Sequence, residues 1–475
     1  MNRVNDDYDL VVIGAGAAGL GTARAAVAMG ARTLLVSDSE PGGDCTFTGC
    51  VPSKTLIEAA RTGVPYPVAA QRIRDTVAAV AATEDADVLR AEGIDVIIER
   101  ARFRSRDRID IGGRTFTARR VVIATGSAPA VPGVPGLHEN GFLTNEAIFD
   151  LPDLPPALAI IGGGATGCEL AQAFTRLGSR VTLIEQADRL LPGQDPQASA
   201  VIAEVLSREG TDIRVKACPK AVEPGPRTVI PSARLELEDG TTVNATHVLV
   251  AVGRRPPGTD LALSAAGIET DDRGYVKTNS RLATTARGVY AAGDVTGRAP
   301  LTHAAYQMGR IAAGNALGRW PTTYREDVMP EVVFTEPEVA QVGILATQAP
   351  VGARIAELPM IGLDRALTAR ATDGFVKLVA GRRRLLGNLG GGRLLGATIV
   401  AERAGELIHE PTLAMATGMF TGRLAATTHA YPTWSTAVQQ TAAQFFITID
   451  GRRARTVTAV TERAGPTGVP SRWEN

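Results

Sequence analysis

Two glycine-rich turns of one design, G14-A-G16-A-A-G19 and G162-G-G164-A-T-G167, stand about 150 residues apart in this chain. Each follows a short apolar run, YDLVVI at 8–13 and LAIIG from 158. Each opens a helical pattern, to about Gly30 in the first case and through Leu177 in the second. A further apolar run then closes the unit, TLLV at 33–36 and VTLI at 181–184. Strand, glycine turn, helix and second strand make up the unit that binds a dinucleotide. One such turn is weak evidence, whereas two in full context define a fold class. Downstream, VVIATG at 121–126 and VLVAVG at 248–253 repeat a second feature, so the same module is used twice. Proline-rich stretches at 127–136 and 150–157 separate the copies, and 316–327 precedes a final region. That region mixes apolar runs at 331–334, 374–380 and 394–400 with helical patterns at 401–419 and 435–446, which predicts an α+β domain.

At each turn, bare backbone lets a pyrophosphate reach a helix N-terminus, where unpaired N–H groups and the helix dipole favour anions. An acidic residue closing the second strand would hold a ribose hydroxyl pair. Glu185 has that place in the second module and favours NAD(H) over NADP(H), because a carboxylate repels a 2′-phosphate. In the first module Ser37 stands there and Asp38 follows as its substitute.

With 475 residues the chain is long enough for two to four domains. Its 50 basic and 50 acidic residues leave a formal net charge of +0, which argues against nucleic acid or an anionic membrane as partner. The start, MNRVNDDYDLVVIGAG, has no basic segment ahead of a long apolar one, and no apolar run approaches the roughly 20 residues a bilayer span needs. The expectation is a cytoplasmic protein. Four cysteines exclude a disulfide framework, and the pair in C45-TFTG-C50 reads as catalytic or metal-binding. On an ideal helix, residues five apart lie about 8–9 Å from each other at Cα, beyond the roughly 4.4–6.8 Å of a disulfide. The pair can bridge only across a distorted helix start, for which Gly49 and Pro52 are the source. A cysteine near a helix N-terminus favours its reactive thiolate. Cys168 and Cys218 stand alone and read as buried packing.

The stretch E40-PGGDCTFTGCVPSK-54 resembles the redox-active signature of class I pyridine nucleotide-disulfide oxidoreductases, which include dihydrolipoamide dehydrogenase, glutathione reductase and mercuric ion reductase. The likeness extends through ATG at 124–126, AVGRRP at 251–256, VYAAGDV at 289–295, VVFTEPEVAQVG at 332–343 and LLGATIVAERAGELIHE at 394–410. It implies an α/β protein with two Rossmann-like domains, for FAD and NAD, and a C-terminal α+β dimerisation domain. The implied division is 1–150 for FAD and the redox pair, 151–270 for NAD(P), 271–327 as a return to the FAD domain, and 328–450 for dimerisation. The basic tail at 451–475, rich in Gly, Pro and Ser toward its end, is expected to be mobile.

By this resemblance FAD would take Gly14, Gly16, Gly19, Asp38, Gly43, Ala101, Thr125 and Gly126, with Asp294 on the ribitol chain and Lys54 near flavin N5. NAD would take Gly162, Gly164, Gly167, Glu185 and Gly253, and Glu169 would pair with Lys54. Cys50 would stack against the flavin, Cys45 would exchange with substrate, and a homodimer partner would complete the active site. Disulfide-reducing members carry His-Pro-Thr-x-x-Glu near the C-terminus, the histidine serving as acid–base. Here the stretch reads H429-A-Y431-P432-T433-W434-S435-T436, with Tyr431 at the histidine position and Thr436 at the glutamate position. The tyrosine is similar to that of mercuric ion reductase, yet the tail ends in SRWEN without that enzyme's cysteine pair. His429 is a second candidate acid–base. Ala165 stands where relatives often place a bulky gate over the flavin.

The reading is therefore a flavoenzyme passing electrons between NADH, FAD and Cys45–Cys50, and on to a small thiol or disulfide or a thiophilic metal ion. Dihydrolipoamide dehydrogenase is the alternative. A diaphorase that reduces quinones without the cysteines is a second one, and a subunit docking on an acyltransfer complex is the non-enzymatic rival.

Overall fold

A computed structural model describes residues 7–225, 233–258, 260–383 and 387–458. The first apolar run forms β1 (Leu10–Ile13), the helix after its glycine turn is α1 (Ala17–Ala28), and β2 (Thr33–Ser37) lies parallel beside β1. The signature segment forms a short α2 (Gly43–Phe47) and a longer α3 (Cys50–Arg61). Next come β3 (Asp95–Ile98) and β4 (Val121–Ile123), which pair in parallel with β2 and β1 respectively. Strands β1, β2 and β4 are buried along their whole length. Continuous apolar runs of this kind suit a parallel sheet covered on both faces.

The second module repeats the plan with β5 (Ala157–Ile161), α4 (Ala165–Arg176) and β6 (Arg180–Glu185). After α5 (Pro196–Glu209), β7 (Asp212–Val215) and β8 (His247–Val250) complete a parallel sheet of order β7-β6-β5-β8. Each module also carries a small sheet, over 101–118 and 219–245, in which successive strands pair antiparallel.

The chain then contributes β9 (Val289–Ala291) to the first sheet, giving the order β9-β4-β1-β2-β3, and α6 (Thr302–Leu317) packs on α1. Small residues make that packing close: a Cβ on Gly309 would lie 2.1 Å from the Ala18 carbonyl oxygen. The final region is an antiparallel sheet of β10 (Glu331–Val333), β11 (Glu338–Gly343), β12 (Arg354–Pro359), β13 (Phe375–Gly381), β14 (Arg393–Ala401) and β15 (Arg455–Thr456). Their order is β10-β11-β14-β13-β12-β15, and an apolar core joins the sheet to the helices between residues 404 and 443.

Two compact units result. One holds residues up to Ala130, Leu143–Asp153 and Gly253–Glu326; the other holds Val131–Phe142, Leu154–Val252 and the chain from Asp327. The return to the first unit falls at Gly253, ahead of the 271 boundary expected from sequence. Its cause is the pairing of Arg254 and Arg255 with Pro129 and Ala128. The tail expected to be mobile from 451 instead starts with an ordered edge: Thr456 and Arg455 pair with Arg354 and Ile355 of β12. The rest of that tail, 459–475, lies outside the described residues. Among the described residues no helix is long and apolar enough to cross a membrane.

Candidate active site

In the first unit the three glycines of the turn do three different things. Gly14 has φ +105, and a Cβ on it would lie 2.3 Å from the Ala124 carbonyl oxygen, so the turn and the approach of β4 both need glycine. A Cβ on Gly19 would sit 1.8 Å from the Gly14 carbonyl, which keeps α1 tight against its own turn. Around Gly16, by contrast, a Cβ meets only the Gly43 Cα, at 3.9 Å. Gly16 is also the N-cap of α1 and offers no side-chain cap, so the helix N–H groups face a cradle of bare backbone.

At the end of β4 lies Thr125, whose Oγ1 is buried and has no hydrogen-bond partner among the described residues. Gly126 follows in a left-handed conformation. Asp294 begins a short 3-10 turn; its Oδ2 accepts from Ser127 Oγ at 2.7 Å and lies 3.5 Å from Arg254 Nε. Arg254 also donates to Ser127 Oγ and to the Ser127 carbonyl, and it pairs with Asp44. Asp38 is exposed, 4.0 Å from Arg100, past the buried Ser37 that closes β2. Ala101 is buried at the start of the small sheet. The glycine cradle, the orphaned Thr125 hydroxyl and the partly engaged Asp294 fit the diphosphate and polyol of FAD. Gly14, Gly16, Thr125 and Asp294 would hold it.

Cys45 and Cys50, the pair expected to be redox-active, sit beside this cradle. Helix α2 stops at Phe47, and Gly49 caps a new helix that starts with Cys50. The break at Thr48–Gly49 supplies the distortion the spacing calls for, while Pro52 lies inside the first turn of α3. A Cβ on Gly49 would come 2.8 Å from the Asp44 carbonyl oxygen, so the sharp join depends on glycine. Cys45 hydrogen-bonds the sulfur of Cys50; that bond first, then burial, then negative charge on Cys50, pushes the Cys45 thiol well above the usual thiol range. Cys50 Sγ lies 3.3 Å from Thr302 Oγ1 at the start of α6. Lys54 follows one turn later on the same helix as Cys50, half-buried.

In the second unit Gly162 and Gly167 repeat the packing roles. Their Cβ atoms would lie 2.4 Å from the Ala251 carbonyl and 1.8 Å from the Gly162 carbonyl. Nothing lies within 4 Å of a Cβ on Gly164, so the N-terminus of α4 is open to a phosphate. The buried Glu185 accepts from the Gly163 N–H at 2.6 Å and from the Ala187 N–H at 2.7 Å, which fixes its carboxylate at the end of β6. These features fit the diphosphate and ribose of a nicotinamide dinucleotide. Gly253 has φ +121, and its carbonyl accepts the Ala130 N–H in the first unit.

Glu169 is buried on α4 and accepts the Phe334 N–H at 2.8 Å. Gln172 exchanges hydrogen bonds with the Glu336 backbone, and Arg176 pairs with the Glu336 carboxylate. One face of α4 thereby grips the segment leading into β11, a role for Glu169 that sequence did not suggest. Ala165, at the start of α4, is exposed. Cys168 is fully buried, its thiol on the Gly163 carbonyl, as expected of packing; Cys218 is half-buried.

His429 and Tyr431 part company. The His429 side chain is buried, with Nδ1 2.9 Å from the Thr427 carbonyl and Nε2 3.1 Å from Glu410 on α7 (His409–Ala416). Tyr431 is 75% exposed and donates its hydroxyl to Asp364 at 2.9 Å. That hydrogen bond and the carboxylate charge raise the phenol above its ordinary value, so it stays protonated near neutral pH and does not present a phenolate. Sequence reasoning missed Thr302, Arg254, Asp44 and Glu410. Arg254, Asp44 and Glu410 had a signal, since they lie in AVGRRP, E40-PGGDCTFTGCVPSK-54 and LLGATIVAERAGELIHE; Thr302 carries none.

The fold and these two sites define an FAD- and NAD(P)H-dependent oxidoreductase. The chain belongs to the pyridine nucleotide-disulphide oxidoreductases: residues 8–309 match that family and residues 329–442 match its dimerisation domain. A mercuric reductase of Bacillus cereus is 34% identical over 450 residues, 90% of this chain and 70% of that protein. A dihydrolipoyl dehydrogenase of Thermus scotoductus is 34% identical over 460 residues, 92% of this chain and 96% of that one. Among solved structures, the Cu(II) complex of the HOCl-induced flavoprotein disulfide reductase RclA from Escherichia coli superposes with a TM-score of 0.82 at 28% identity, covering 90% of this chain and 98% of that chain. LpdA from Mycobacterium tuberculosis superposes at 0.84 with 29% identity, covering 92% and 100%. The match to the dimerisation domain supports a homodimer.

Proposed function

We propose that this enzyme uses NADH to reduce the Cys45–Cys50 pair and delivers the electron pair to a thiophilic metal ion. The carrying observation is Tyr431: a protonated, Asp364-bound phenol occupies the place where disulfide-reducing relatives keep an imidazole. Splitting a substrate disulfide needs a proton for the leaving sulfur, and general acid–base catalysis of that step is worth roughly a hundred- to ten-thousand-fold. A metal ion takes electrons without that proton. The balance is NADH oxidised to NAD⁺ with release of one proton, while the ion gains the same two electrons. Likeness to mercuric reductases and to a reductase captured as its Cu(II) complex supports the reading.

FAD, when bound, relays the electron pair from NADH to the cysteines. In this reading Glu185 would orient the nicotinamide dinucleotide by its ribose, and Asp294, Thr125 and Lys54 would hold the flavin. Cys50 would receive the electron pair from it and Cys45 would meet the acceptor. A second reading, dihydrolipoyl dehydrogenase or another disulfide reductase, rests on His429, which has its own carboxylate partner in Glu410.

An anaerobic NADH titration followed by lipoamide, glutathione disulfide, mercuric ion, cupric ion and a quinone decides among them. We expect metal-ion turnover that disappears in Cys45→Ser. Efficient lipoamide turnover in the wild type would overturn the proposal, and quinone turnover that survives Cys45→Ser would point to a diaphorase.

A further inference from the structure

The redox pair has a third partner, remote in sequence and marked by no motif. Thr302 is the first residue of α6, and its Oγ1 lies 3.3 Å from Cys50 Sγ. The same hydroxyl also acts on Cys45, where it pulls that thiol's ionisation down, against the larger upward push of the Cys50 hydrogen bond, burial and Cys50 charge. Helix α6 is 16 residues long, and its first turn has neither a side-chain cap nor an acidic residue. Its leading N–H groups and dipole therefore favour a negative charge placed at that end.

Adding two electrons to a Cys45–Cys50 disulfide breaks the S–S bond and leaves two sulfurs carrying two negative charges. Uptake of one proton then gives one thiol and one thiolate. Which sulfur keeps the charge decides which can act as electron donor and which as the exchanging group. We propose that Thr302 is the positioning residue for this choice: its hydroxyl donates to Cys50 Sγ and holds the charge there, leaving the proton on Cys45. The inference rests on the reading that Cys45 and Cys50 are the redox pair.

The geometry carries the argument. A thiolate has no proton to give, so once Cys50 is ionised the Thr302 hydroxyl must be the donor in their contact. Hydrogen bonds to charged groups are about twice as strong as those between neutral groups. Cys45 supplies the second donor, consistent with the upward displacement of its own ionisation by Cys50. The other charged groups on the surrounding elements include Asp44 on α2, which Arg254 engages, Lys54 and the Glu58–Arg61 pair on α3, and Arg310 on α6. Glu84 takes the Thr46 hydroxyl, and His303 follows Thr302 on α6. All of them remain when Thr302 is changed, so a Thr302 variant isolates the hydroxyl.

The test uses the flavin-loaded enzyme, reduced anaerobically. Iodoacetamide alkylation of Cys45 and Cys50 is followed as a function of pH by peptide mass, together with the long-wavelength thiolate–flavin absorption. In the wild type the ionising sulfur should be Cys50. Thr302→Val should raise its midpoint by about one pH unit, so that about tenfold less thiolate is present at a pH below both midpoints. Thr302→Ser should stay near the wild type. Should the valine variant lose its flavin, Thr302→Ala gives the same reading. A valine or alanine midpoint indistinguishable from wild type overturns the role of Thr302, as does a serine variant displaced as far as valine. Ionisation located at Cys45 in the wild type would instead overturn the assignment of the pair itself.

Discussion

At the scale of single residues, the site on the reading proposed above separates groups that would hold cofactors from groups that would choose the acceptor. Glu185 belongs to the first kind. Both its oxygens are committed to backbone N–H groups of the glycine turn and of Ala187, so the carboxylate cannot swing aside for a 2′-phosphate. NADH should therefore exceed NADPH in kcat/KM by at least about tenfold, and Glu185→Ala should narrow that ratio. A wild-type preference for NADPH would refute the assignment. Tyr431 and His429 belong to the second kind. Tyr431→Phe removes the hydrogen bond to Asp364 and should leave flavin reduction by NADH unchanged. If residual lipoamide turnover depends on His429, then His429→Ala should abolish it and spare flavin reduction. Lipoamide turnover that is efficient and persists in both variants would sink this account of the substrate side. The long-wavelength band of the two-electron-reduced enzyme offers a third check: it should vanish in Cys50→Ser, and its retention there would mean Cys50 is not the flavin-facing sulfur.

At the scale of elements, the two glycine turns were readable because their geometry is local. Turn, helix start and helix–strand packing all lie within six residues, and each demands a small or absent side chain. The structure lets the glycines be told apart by experiment. Gly167→Ala would drive a methyl into the Gly162 carbonyl and should destabilise the protein by about 1–3 kcal/mol through overpacking. Gly164→Ala adds a Cβ with no protein atom within 4 Å, so it should fold normally and raise the KM for NADH instead. Equal effects of the two on thermal stability would contradict this division. What could not be read lies in contacts between distant segments: Cys50 with Thr302, 252 positions on, or Asp44 with Arg254, 210 positions on. Thr302 has no periodicity or spacing to betray it, and the signature around Asp44 does not say which distant residue it meets. The break between α2 and α3 was foreseeable from the disulfide distance alone, but its place at Thr48–Gly49 follows from the close approach of Gly49 to the Asp44 carbonyl.

At the scale of the whole molecule, repetition of the dinucleotide module was evident from the sequence, and the way the chain shares itself between units was not. Linear boundaries miss that 131–142 joins the nicotinamide-binding unit and that 253–326 completes the first sheet. The second unit is locked by an ion pair that no local pattern announces. Lys377 of β13 donates to both oxygens of Asp195 at 3.1 and 3.0 Å, and the two side chains are only 7% and 3% exposed. Asp195 simultaneously caps α5 through the Gln197 N–H, while Glu357 of β12 lies 3.9 Å from the lysine and accepts from Gln197. The pair therefore joins the start of a helix in the nicotinamide module to the centre of the antiparallel sheet. Its desolvation cost offsets much of its attraction, so its presence alone says little about net stability, but losing one partner strands a buried charge and costs about 3–5 kcal/mol. Lys377→Met should lower the thermal midpoint by several degrees and weaken NADH binding through displacement of α5, with flavin content unchanged because Gly14, Gly16, Thr125 and Asp294, which would hold FAD, lie in the other unit. Adding Asp195→Asn removes the stranded charge and keeps a capping side chain, so the double variant should recover most of the lost stability. A double variant no more stable than Lys377→Met would mean that packing around the lysine stem, rather than the ion pair, holds the unit together.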